Sequence, residues 1–137
     1  MANIIDFVQW RGDIPFRQVP VGEVDALILS YLSYMRFDGI VAEAFRVEGV
    51  PLAEAAEKLL ERPEKERSSM NFSVKDDETL LKLLTRSERF GKARLVGFIN
   101  RIDTEKERQF GAVTYLLDDG TAFISYRGTD QTVVGWK

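Results

Sequence analysis

Phe110-Gly111-Ala112-Val113-Thr114-Tyr115-Leu116-Leu117-Asp118-Asp119-Gly120-Thr121-Ala122-Phe123-Ile124-Ser125-Tyr126-Arg127-Gly128-Thr129-Asp130 is the stretch whose reading decides the fold. An apolar run from Phe110 to Leu117 meets Asp118-Asp119-Gly120, and an alternating run from Ala122 to Tyr126 follows. Acidic residues followed by Gly between two such runs signal a hairpin, because Gly takes the positive φ that such turns demand. Upstream, Leu95-Val96-Gly97-Phe98-Ile99 reads as another strand, leading through Arg101 to Asp103, with a turn at Thr104-Glu105-Lys106-Glu107. Strands joined this closely pair antiparallel, so the reading predicts a three-stranded antiparallel meander. Ala122, Phe123, Ile124 and Tyr126 read as buried on both faces, as central strands of α/β sheets are. The last strand of a meander would nevertheless be an exposed edge. The expectation is that a missing carboxyl-terminal part, a second copy or a complementary polypeptide covers Ala122 to Tyr126.

Before Gly91 the period is helical. Asn3 can cap a short helix through Trp10 that puts Ile4, Ile5 and Val8 on one face, with Gly12 as its stop. Pro15 to Gly22 reads as a loop. Val24, Leu27, Ile28, Tyr31, Leu32 and Met35 recur at helical spacing and predict an apolar stripe facing the core, with Glu23 and Asp25 in the first turn and Arg36 in the last. Phe37-Asp38-Gly39 ends that helix. Pro51 is expected at the first position of the next one, whose face is Leu52, Ala55, Ala56, Leu59 and Leu60 and whose extent Pro63 limits. Glu64 to Met70 reads as an exposed connection. A further helix, capped from Ser73 or Asp77, points Leu80, Leu81 and Leu84 inward. The organisation predicted is α/β, with a mainly helical region over 1–91 and the first strands of a sheet over 92–137.

Composition removes several function classes. The 137 residues carry a net charge of −3, which favours neither nucleic acid nor an anionic membrane. No apolar run approaches the roughly 20 residues needed to span a bilayer, and with no basic n-region before an apolar core no signal peptide is expected. The absence of cysteine excludes disulfides and thiolate metal sites and fits a reducing cytoplasm, which is the expected location. Asp103, Glu105 and Glu107 mimic the start of a calcium loop, but Arg108 stands where Gly is needed and no bidentate Glu follows; no metal and no cofactor is expected. The chain also lacks histidine. A Ser-His-Asp triad needs an imidazole to take the serine proton near neutral pH, so these residues cannot hold a complete one. None of Ser30, Ser33, Ser68 or Ser69 lies in a Gly-x-Ser-x-Gly elbow.

Arg127-Gly128-Thr129-Asp130 is the constellation that carries chemistry. An acyl-transfer enzyme stabilises a developing oxyanion with fixed N–H donors, each worth about 2.7–4 kcal/mol in the transition state. A Gly-Thr turn at the carboxyl end of a strand can aim such a donor into the crevice where ligands of open α/β sheets bind. The same residues also read as a plain tight turn with a surface Arg-Asp pair. The Arg127 fork suits a planar anion, although a structural pairing with an acid in the sheet is the preferred reading. Trp136 reads equally as a pocket cover or as a core tryptophan.

Arg127-Gly128-Thr129-Asp130 with Val134-Gly135-Trp136-Lys137 resembles the signature of the Mbeg1-like family, a bacterial domain family of unknown function that is similar to class 3 lipases. Asn3 to Asp6 with Trp10 to Asp13, Glu23 to Ser30 with Leu32 to Tyr34, and Asp118 to Thr121 resemble the same family, in the expected order. The resemblance implies the amino-terminal portion of an α/β-hydrolase-like fold, with Thr129 as oxyanion-hole donor, Gly128 permitting close approach and Asp130 orienting the turn. It further implies that nucleophile, acid and base lie beyond Lys137, and that the parent protein acts on an ester or lipid-like substrate. A non-catalytic binding or assembly module with the same fold is the alternative.

Overall fold

A computed structural model describes residues 2–42, 44–67, 74–103 and 108–128. The chain runs α1 (Ala2–Arg11), α2 (Glu23–Leu32), β1 (Val50–Pro51), α3 (Leu52–Glu61), a single 3₁₀ turn (Glu64–Glu66), α4 (Val74–Leu84), β2 (Arg94–Asp103), β3 (Arg108–Leu116) and β4 (Ala122–Gly128). The sheet order is β1-β2-β3-β4, with every neighbouring pair antiparallel. The mixed α/β class and the meander are as expected, and β1 is an addition. Two residues are too few for a periodic signal, and Gly49 is what admits them. Gly49 has φ +52, and a Cβ there would lie 2.7 Å from the Leu95 carbonyl oxygen.

Local chemistry explains the elements that matched expectation. Leu52, Ala55, Ala56 and Leu59 form the buried face of α3, at helical spacing. Pro51 stands before its first turn rather than in it, with φ −57 and ψ 140, because Val50 and Pro51 pair with Leu95 and Arg94. In α1, Ile4 and Val8 are buried, and Gly12 closes the helix with its N–H 2.8 Å from the Val8 oxygen. Asn3 lies inside that helix rather than at its cap. Leu80, Leu81 and Leu84 of α4 are buried as predicted. Asp77 does not cap the helix but sits within it, and Ser73 lies outside the described residues.

The predicted stripe of α2 is corrected. Asp25, Ile28, Leu29 and Leu32 are its buried positions, whereas Val24 is 42% exposed and Leu27 59%. The helix stops at Leu32, so Arg36 is not in its last turn; the Arg36 N–H instead donates to the Arg67 oxygen at 2.9 Å. The cause of the rotation is Arg89. Its guanidinium sits beside the Asp25 carboxylate, with Nε 2.8 Å from Oδ1 and Nη2 2.6 Å from Oδ2. The remaining donors go to the carbonyls of Ile14, Val19 and Pro20 at 3.0, 2.9 and 3.3 Å. Phe16 lies against the plane, its ring centroid 4.0 Å from the guanidinium carbon. A charge this deeply buried is tolerable only when paired and fully hydrogen-bonded, and that requirement turns Asp25 inward.

A second arginine corrects the predicted exposed connection. The 3₁₀ turn is exposed, but Arg67 is buried. Its Nε donates to the carbonyls of Leu59 and Arg62, and its Nη2 to that of Leu60. Leu59 and Leu60 lie in the last turn of α3, where the helix runs out of following N–H groups; the Arg62 N–H reaches the Leu59 oxygen at 3.0 Å, and Arg67 adds side-chain donors that close the helix.

The core lies between the helices and one face of the sheet. Leu95, Phe98, Val113 and Tyr115 are buried on that face, with Phe123 partly buried beside them. The Tyr115 hydroxyl donates to the Leu29 oxygen of α2 at 2.8 Å, tying helix to sheet. Each such fully buried apolar side chain contributes about 1.5–3 kcal/mol relative to exposure. No helix among the described residues is long and apolar enough to cross a membrane.

Candidate functional site

The hairpin that leads to the predicted site is fixed at its closed end by turn chemistry. Gly120 has φ +88, and its N–H donates to the Leu117 oxygen at 3.0 Å. Asp119 Oδ1 accepts from the Thr121 N–H at 2.9 Å, and that bond holds the Asp119 carboxyl below its ordinary value. Asp118 Oδ1 accepts from the Arg17 N–H at 3.1 Å, which pins the turn to the loop between α1 and α2. From there the register runs without a bulge: Leu116 with Ala122, Tyr115 with Phe123, Val113 with Ser125, Gly111 with Arg127 and Phe110 with Gly128.

Arg127 and Gly128 are the last two residues of β4, paired with Gly111 and Phe110, so the strand runs two residues beyond the Tyr126 end that the sequence suggested and these two residues extend it rather than turn. The neighbouring stretch of β3 is in turn paired to the carboxyl half of β2, with Phe110 opposite Arg101 and Gly111 opposite Asn100. Thr129, Asp130 and Trp136 lie outside the described residues, as does the turn from Thr104 to Glu107.

β4 is not buried on both faces. Ser125 is buried and Phe123 half-buried, on the face that carries Val113 and Tyr115. On the other face Ile124 is 50% exposed and Tyr126 69%. β4 is the outermost strand among the described residues, with β3 as its neighbour, and no described helix buries Ile124 or Tyr126. The register sets Tyr126 beside Ala112 and Ile99, and Ile124 beside Thr114 and Gly97.

A second place gathers titratable groups. Tyr31 of α2 donates its hydroxyl to Asp77 Oδ1 of α4. Burial, followed by the bond to Asp77 and the charge of that carboxylate, pushes the Tyr31 phenol far above its ordinary value. Burial likewise raises Asp77, against the opposing pull of the Tyr31 bond. Beside them is a small cleft of about 10 Å³ lined by Ile4, Ile5, Tyr31, Asp76 and Leu80. Its lining comes from α1, α2 and α4, with no residue of β4. Sequence reading missed this pair because each partner looked local, one as a stripe residue and the other as a cap.

Two of the described serine hydroxyls have structural partners. Ser33 Oγ donates to the Ser30 oxygen at 2.6 Å, and Ser87 Oγ to the Gly12 oxygen at 2.8 Å. The buried Arg89–Asp25 pair is likewise self-contained, since five guanidinium hydrogen bonds end on protein oxygens. A signal for it was present in the sequence: an aspartate three residues before Ile28 and four before Leu29, on the face that turns inward.

The Mbeg1-like family model matches residues 84–137. The match opens at the last residue of α4 and takes in β2, β3 and β4. It contains both Asp118-Asp119-Gly120-Thr121 and the Arg127 to Lys137 signature, so the resemblance is borne out there. The amino-terminal motifs at Asn3 to Asp13 and Glu23 to Tyr34 precede it. No curated protein and no solved structure matches the chain.

Proposed function

We propose that this chain, Mbeg1-like over residues 84–137, is the amino-terminal part of a serine hydrolase that cleaves an ester or lipid-like acyl compound. In this reading the turn after β4 supplies an oxyanion-hole donor at Thr129. The observation that supports it is the β3–β4 hairpin, which ends at Arg127 and Gly128 inside the matched region. When a serine oxygen attacks an ester carbonyl, negative charge moves onto the carbonyl oxygen. A fixed N–H or hydroxyl donor at that oxygen stabilises the transition state more than the ground state. Since the 137 residues contain no histidine, the general base comes from polypeptide outside them, and the chain alone is inactive.

The reading has a direct test. A fluorophosphonate probe labels only an activated serine, and the 137-residue chain is expected to remain unlabelled. A longer polypeptide that supplies the histidine is expected to be labelled and to cleave a p-nitrophenyl ester. In that species Thr129→Ala should lower kcat by about 10²–10³ with little change in KM, if the hydroxyl is a donor. Absence of labelling in the longer species removes the hydrolase reading. Retained labelling with an unaffected Thr129→Ala rate removes only the role of the hydroxyl.

A non-catalytic assembly module is the second reading, and the exposure of Ile124 and Tyr126 on an edge strand favours it. Light scattering across a concentration range separates the two. A molar mass that rises with concentration supports assembly; a constant 15.6 kDa counts against it.

A further inference from the structure

We draw no further inference here: the strongest candidate, the exposed apolar face of β4 around Ile124 and Tyr126, already underlies the assembly reading, and nothing among the described residues shows what covers it.

Discussion

Arg89 shows how one side chain can set the orientation of an element far away in sequence. It joins α2, through Asp25, to the loop carbonyls at Ile14, Val19 and Pro20. Removing one partner of a buried pair leaves an uncompensated charge, which costs about 3–5 kcal/mol. Asp25→Ala is therefore expected to lower the unfolding free energy from urea titration by that much, whereas surface changes stay within about 0.5 kcal/mol. An Asp25→Ala stability close to wild type would show that Arg89 finds another anion. Tyr31 and Asp77 yield a prediction of sign. The folded-state pKa of Asp77 is raised above 3.8, so the folded state holds that proton more tightly than the unfolded state does. Its contribution to stability is fully present below pH 3.8, falls as pH rises through the raised value, and is constant above it. Asp77→Asn should lack this decline. The stability of the variant relative to wild type should then increase with pH across the acid window, as read from urea midpoints at matched pH. The opposite slope would mean that the Tyr31 bond outweighs burial. Tyr115 behaves similarly at the alkaline end. Burial raises its phenol above the ordinary 10.0, so stability is lost once pH climbs past that value.

Elements governed by neighbouring residues were legible; those governed by distant ones were not. The buried face of α3 follows from spacing alone, and the β3–β4 turn follows from Asp118-Asp119-Gly120. The inward face of α2 depends on Arg89, which stands 64 residues from Asp25, and no helical period can report that. The same holds for Arg67, read as part of a charged connection but closing α3 through the Leu59, Leu60 and Arg62 carbonyls. In β4, alternation was present in the sequence, yet apolar residues on both faces concealed which one the core would take. The hairpin that leads to the candidate site was legible, although Arg127 and Gly128 extend β4 where a turn was expected; Thr129, the proposed donor, lies outside the described residues. The turn itself gives an element-scale prediction. Gly120 has φ +88 with nothing within 4 Å of where a Cβ would stand, so substitution there meets backbone strain and no clash. Gly120→Ala should cost about 1–2 kcal/mol, and Gly120→Asn less, because Asn tolerates left-handed backbone. Thermal melts of the two variants check the order, and equal melting temperatures would show that the turn relaxes to another type.

At the scale of the whole molecule the two outermost strands among the described residues are built differently. The β1 edge is two residues long and contains Pro51, which has no N–H to offer an incoming strand. The β4 edge runs seven residues, from Ala122 to Gly128, with no proline and no bulge in its register with β3. No charged residue interrupts it between Ala122 and Tyr126. Such an edge is a template for another strand, whether that strand completes the sheet of a larger protein or belongs to a second molecule. Adding a charge to its exposed face should therefore suppress self-association while leaving the fold intact. Ile124→Lys is the variant of choice, since Ile124 is 50% exposed and its replacement leaves no cavity in the core. Leu27→Lys is the control: Leu27 is 59% exposed on α2 and receives the same charge. Both variants should unfold within about 0.5 kcal/mol of wild type. If the edge governs association, light scattering will show a lower concentration-dependent mass for Ile124→Lys alone. An equal decrease in both variants would assign the effect to net charge, and the β4 edge would then play no part in assembly.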